Sequence, residues 1–260
     1  LYNSEAILFG DGTGNVQIFE RRSNMRKGGV PSVGDACLAL PIVLVLMIYV
    51  GGFASTKGML SGLFATQGIV AGVPVLMTLY TKKDWKKTFR IRLCRPGFWV
   101  GGIFLILGAI ALGIIVTSIT SVLFPNSADA MTTSMDEIYR MGYGASILIV
   151  ALLPAVCEEL LFRGFLYSSF EARMTQGKAI VLVSVIFGLY HMNVVQSTTT
   201  AVIGLAICYL SAQSESLFPG ILMHFLNNAL SVTLTFYSDA VSKYLKGNSG
   251  TPGALLELIY

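Results

Sequence analysis

The stretch FWVGGIFLILGAIALGIIVTSITSVLF, residues 98–124, contains no charged side chain. A hydrocarbon layer of about 30 Å is crossed by roughly 20 helical residues at a rise of about 1.5 Å each, so this run alone is long enough to span a bilayer. Outward from it the same character recurs at residues 36–55, 58–80, 145–168, 179–192, 198–212 and 218–237. The sequence therefore predicts an all-α fold, a polytopic transmembrane helical bundle of about seven spans, with an eighth expected beyond the end of the chain. Residues 179–192 and 198–212 are short for spans, which predicts tilt or a water-filled cleft beside them.

Composition agrees. Of 260 residues, 54% are hydrophobic and only 12% charged, and the mean hydropathy is +0.69, far from soluble globular usage. The net charge of +4 is too small, and the apolar content too high, for a nucleic-acid-binding chain, and no nucleic-acid partner is expected. Cys37, Cys157 and Cys208 lie in apolar runs and Cys94 in a basic loop, so free thiols are expected rather than a disulfide framework.

Orientation follows from positive charge, because short basic loops stay on the cytoplasmic side. Residues 81–96 hold Lys82, Lys83, Lys86, Lys87, Arg90, Arg92 and Arg95 against Asp84 alone, and Arg21, Arg22, Arg26 and Lys27 precede the first span. Two spans separate the segments, so both fit the cytoplasm, while Asp129, Asp136 and Glu137 suit an outer loop. The expectation is a multi-pass cell-membrane protein with a cytoplasmic N-terminus. It divides into a cytoplasmic segment or linker (1–34), a transmembrane domain (35–237) and a tail or start of a further helix (238–260). The glycines around residues 10–14 read as a hairpin turn. They lack the Lys-Ser/Thr sequel of a phosphate-binding loop. The chain opens on Leu1 and closes on an apolar run, which reads as a piece of a longer polypeptide.

An ionisable residue inside a span costs about 2.5 to 3.5 kcal/mol on insertion scales and is a functional candidate by default. Residues 155–163, AVCEELLFR, put three into the fourth span. Helical geometry sets Glu159 and Arg163 four apart on one face in the favourable order, an expected ion pair. Glu158 points about 100° away and is left without an internal partner, which makes it a candidate base for water. Pro154 should kink the helix near the acids. The only two histidines, His191 and His224, also fall in apolar runs. Phe187 lies one turn before His191, and Asn228 one turn after His224. Counted along the helices at 1.5 Å per residue, Glu158 and His224 lie on the order of 10 Å from the basic-loop face, with His191 nearer the middle.

These residues form no Ser-His-Asp pattern and no His-Glu-x-x-His helix. Cys157 beside Glu158 is a weak nucleophile candidate in so apolar a helix. Two chemistries fit: a glutamate-activated water with His224 and Asn228 facing a developing oxyanion, or a zinc ion held by Glu158, His191 and His224. Spacing leaves both open.

Glu158-Glu159 with Arg163, Phe187 with His191, and His224 with Asn228 resemble, in order, the E-E-x-x-x-R, F-x-x-x-H and H-x-x-x-N motifs of the CPBP family. That family comprises intramembrane glutamic endopeptidases related to CAAX prenyl proteases and bacteriocin-immunity proteins. The resemblance covers about the last 100 residues before Tyr237. It implies a metal-independent membrane endopeptidase without a cofactor, with Glu158 and His191 as water activators, His224 and Asn228 as the oxyanion pair, and Glu159, Arg163 and Phe187 in support. Residues 1–10 also resemble the tail of an ABC transporter permease, as in bacterial fusions of a permease to such a protease. Expected partners are membrane lipid, a peptide or membrane-protein substrate, and an ABC transporter. The alternative is a non-enzymatic immunity or transporter-associated protein that keeps the polar cluster as a clamp.

Overall fold

The computed structural model describes residues 16–19, 21–25, 27–129, 138 and 140–237. The hairpin and permease-like readings at the start, and the tail at 238–260, lie outside the described residues. The described residues contain seven long helices and no strand. They are α1 (Val33–Ser55), α2 (Met59–Tyr80), α3 (Gly97–Leu123), α4 (Tyr143–Glu171), α5 (Gln176–Leu189), α6 (Val194–Ser214) and α7 (Phe218–Phe236). Each of the seven predicted apolar runs has become a helix. Five of them, α1 to α4 and α6, are long and apolar enough to cross a membrane, so the chain is a multi-pass membrane protein with a helical bundle core.

Burial identifies the lipid face. On α3 only Gly102, Ile106, Ala109 and Gly113 are buried, a single stripe at helical spacing, while Phe104, Leu107, Ile115, Ile119 and Val122 are exposed. A helix apolar on every side with one buried stripe is matched to lipid rather than to water. α4 is the central helix. Its span is 44% buried inside the protein against 22% for α1 and α3, and residues 161–170 are buried without exception. Phe162, Phe165, Leu166, Tyr167 and Phe170 form one core with Val43, Val70, Met77, Val183 and Phe187. A smaller core joins Ile106 and Ala109 to Ile203, Ile207, Leu210 and Met223.

The two ends of the bundle are fixed by polar ties. At the basic end, Arg90 pairs with Glu171 and lies 4.5 Å over the Tyr167 ring, and Arg92 pairs with Glu215. There, too, the Leu217 N–H donates to the Arg90 carbonyl at 3.1 Å. The basic loop therefore clasps the end of α4 and the turn between α6 and α7. At the other end Thr117 meets Thr199 at 2.6 Å, Tyr143 meets Thr233 at 2.8 Å, and Asn193 Nδ2 donates to the Ser127 carbonyl at 2.8 Å. All four cysteines are free thiols, as expected.

α4 is not uniformly wound. Wider π-type turns occupy Ile147–Leu152 and Leu160–Leu166, on either side of the α-helical turns Leu153–Glu159. Pro154 follows the first of these and has no N–H to give to the preceding turn, which is the physical setting in which a helix widens. The predicted distortion beside the acids thus takes the form of π-turns. α1 begins on a capping box in which Ser32 Oγ accepts from the Asp35 N–H at 3.0 Å and the Asp35 carboxylate accepts from the Ser32 N–H at 3.3 Å.

Candidate active site

Glu158 and Glu159 leave the α-helical turns of α4 in different directions, yet their carboxylates meet the same imidazole from α7. His224 Nδ1–H donates to Glu159 Oε1 at 2.9 Å, while His224 Nε2 lies 3.8 Å from Glu158 Oε2. Arg163 NH1 donates to the same Glu159 Oε1 at 2.7 Å, and its NH2 donates to the Gly204 carbonyl of α6 at 3.1 Å. Glu159 and Arg163 are wholly buried, the side chain of His224 is 6% exposed and that of Glu158 16%. The predicted i, i+4 pair is therefore present, and it reaches two further helices.

Burying one unpaired ion costs several kcal/mol, whereas here an acid, a guanidinium and an imidazole neutralise and hydrogen-bond one another. Close backbone approach makes room for them. A side-chain carbon at Gly204 would come within 2.9 Å of Phe187 and 3.3 Å of Arg163 NH2, and one at Gly220 within 3.1 Å of Glu159 Oε2. Glycine at these two positions lets α6 and α7 close on the ion pair.

Glu158 was expected to lack an internal partner, and the structure corrects this. Gln67 Nε2 of α2 donates to Glu158 Oε1 at 3.1 Å. One carboxylate oxygen is thereby held, and the other faces His224. A signal for Gln67 does exist within the helix itself: it lies at helical spacing with Val70, Pro74, Met77 and Thr78 on the buried face of α2, a polar side chain with an amide to place. α4 runs on to Glu171, so Glu158 lies thirteen residues, about 20 Å, from that end, against about 9 Å for His224 from the start of α7.

Phe187 is the aromatic centre of the cluster. Its ring stands edge to face with Phe162 at 5.0 Å, His191 at 5.1 Å and His224 at 5.7 Å, and the Arg163 guanidinium lies 4.4 Å over it. Such a cation over a desolvated ring contributes about 1 to 2 kcal/mol. His191 sits in the turn after α5. Its Nδ1–H donates to the Phe187 carbonyl at 3.0 Å, with the Thr200 hydroxyl 3.5 Å away, so Nε2 carries the lone pair. Among the described residues His191 bonds these two and not Glu158. Asn228 lies one turn beyond His224 and its Oδ1 accepts from Asn227 Nδ2 at 3.1 Å, which leaves Nδ2 as the donor it can offer. The structure therefore joins Glu158, Glu159, Arg163, Phe187 and His224 directly, and places His191 at the edge of the cluster through Phe187.

Cys157 is buried. Among the described residues no three His, Cys, Asp or Glu side chains are grouped so as to hold a metal ion. An apolar groove of about 340 Å³ is lined by Leu93 of the basic loop, Trp99, Leu152, Phe218, Ile221 and Phe225, among others, and by none of the cluster's side chains.

Residues 141–230 match the family model described as Rce1-like, type II CAAX prenyl endopeptidase. The match contains every motif position from Glu158 to Asn228 and bears out the resemblance to CAAX-type membrane proteases drawn from those motifs. No curated protein and no solved structure matches the chain.

Proposed function

We propose that this protein is an intramembrane glutamic endopeptidase that hydrolyses a peptide bond near the cytoplasmic leaflet. The observation that carries the reading is the division of labour between two adjacent carboxylates. Glu159 is wholly enclosed, with Oε1 held by Arg163 and His224, whereas the partly exposed Glu158 keeps an oxygen 3.8 Å from His224 Nε2. That separation is too long for a direct hydrogen bond and short enough for one water to touch both atoms.

In the reaction, Glu158 takes a proton from water as its oxygen bonds to the substrate carbonyl carbon, and His191 orients the water through its free Nε2. The carbonyl oxygen becomes an oxyanion, held by His224 Nε2–H and Asn228 Nδ2–H. Each such donor contributes about 100- to 1,000-fold in a water-poor site. Because His224 Nδ1–H is given to Glu159, donation from Nε2 makes the ring an imidazolium; Glu159 lies between it and Arg163, and the net positive charge of the three offsets the developing oxyanion. The proton held by Glu158 then passes to the amine as the C–N bond breaks. No metal takes part in this scheme. The apolar groove lined by Phe225, next to His224, suits an apolar substrate segment entering from the membrane, in keeping with the family's name.

Glu158→Ala should insert normally and lose cleavage, and Asn228→Ala should retain about 1% or less, as expected for one lost oxyanion donor. A strong chelator should leave the rate unchanged. Full activity in Glu158→Ala removes the mechanism, and loss on chelation with recovery on added zinc replaces it with metal catalysis. The buried Glu159–Arg163–His224 network also suits a non-enzymatic immunity or transporter-associated clamp, in which case nearly isosteric Glu158→Gln keeps full biological function.

A further inference from the structure

We infer that Gln67 is a positioning residue for Glu158. Its amide fixes which carboxylate oxygen serves as base, and the inference rests on the endopeptidase reading above. Gln67 is 7% exposed on α2, and its Nε2–H donates to Glu158 Oε1 at 3.1 Å across 91 residues of sequence. Its own Oε1 is buried with no hydrogen-bond partner among the described residues. A half-satisfied amide in a helix interface costs free energy that an apolar residue would not, because a buried acceptor left unpaired loses about 1 to 3 kcal/mol. Packing alone therefore does not account for glutamine here. Its one bond is the charge-assisted kind, which is stronger and more directional than a neutral one.

The consequence is geometric. A glutamate side chain carries two equivalent oxygens and turns freely about its last torsion. With Oε1 tied to α2, Oε2 is the oxygen that faces His224, and the carboxylate plane is set before substrate arrives. Glu159 is tied from the opposite side by Arg163 and His224, so the two neighbouring acids are oriented by separate helices: α2 for the reacting one, α7 with α4 for the supporting one. A base preorganised in this way does not have to be oriented during the reaction.

The test compares Gln67→Met, which keeps length and removes the donor, with Gln67→Glu, which keeps shape and polarity and sets a second carboxyl against Glu158. Peptide termini that membranes gain with the wild type and not with Glu158→Gln are quantified as a rate for each variant at matched expression. The expected order is wild type, then Met, then Glu. The Met variant should be slowed about ten- to a hundredfold, the range that loss of one hydrogen bond to a charged group produces. A purely structural role predicts a Met variant at least as active as the wild type, because packing alone asks for no donor. In parallel, the infrared carboxylate band assigned to Glu158 by its loss in Glu158→Gln should shift in Gln67→Met. It should not shift in Gln213→Met, whose side chain bonds Gln176 far from the site. A Met variant within twofold of wild type, or an unshifted band, overturns the inference. If no Glu158-dependent termini exist, the endopeptidase reading fails by itself and the infrared comparison still decides whether Gln67 orients Glu158.

Discussion

Removing Arg163 tests whether the buried charges act as one unit. In Arg163→Met the Glu159 carboxylate keeps only His224 Nδ1 as a partner, the Gly204 carbonyl loses the 3.1 Å donor, and Phe187 loses the cation over its ring. Breaking a buried ion pair costs about 3 to 5 kcal/mol, and the lost cation–π contact adds about 1. Set against a total stability of about 5 to 15 kcal/mol, that is a large share. Glu159→Gln alone should cost a comparable amount, since it leaves the guanidinium buried and unneutralised. The double substitution buries no charge at this position, and Gln still offers an oxygen to His224. It should therefore be more stable than either single variant by about 2 kcal/mol, a coupling typical of residues in one network. Reversible unfolding in mixed micelles, followed by the fluorescence of Trp85 and Trp99, measures all four corners of the cycle. If the two single effects simply add, or if Arg163→Met costs under about 1 kcal/mol, the charges are not a coupled buried unit and the account of Glu159 as a committed support fails.

Substitution at Gly220 should be felt directly by the site. Gly220→Ala places a methyl 2.4 Å from Ser211 Oγ and 3.1 Å from Glu159 Oε2 and should cost about 1 to 3 kcal/mol by overpacking, read as a lowered melting temperature. Gly101→Ala on α3 meets nothing within 4 Å and should be neutral or stabilising by up to about 1 kcal/mol, so equal losses at the two positions contradict the packing described. Cys94, in the basic loop, should be alkylated by a membrane-impermeant maleimide only from the cytoplasmic side, and labelling from the outside reverses the proposed orientation. Partial burial pushes the Cys94 thiol up, so less thiolate exists at neutral pH and its labelling should be slower than that of free cysteine until the pH rises.

The helices were legible because each apolar run is continuous, and the Glu159–Arg163 pair because its spacing is a local property of one helix. What stayed hidden was tertiary. Gln67 and Glu158 are 91 residues apart, and no periodicity within α2 says which acid its amide will meet. The π-turns flanking Leu153–Glu159 were foreshadowed by Pro154 only as a kink, since the sequence does not say whether a missing donor bends a helix or widens it. Shared use of His224 by both acids could not be read from their 100° offset, because it depends on where α7 sets the two ring nitrogens. Nothing in the sequence sets Gly204 and Gly220 apart from the other glycines; only the neighbours crowding them do.

In the proposed reaction, cleavage depends wholly on Glu158 as the base. Comparative peptidomics of membranes from cells expressing the wild type or Glu158→Gln at matched levels addresses it even while the substrate is unidentified. New peptide termini that arise only with the wild type are the predicted result. Identical peptidomes, with His191→Ala and His224→Ala also without effect in the cell, would contradict it and leave the polar cluster an architectural clamp.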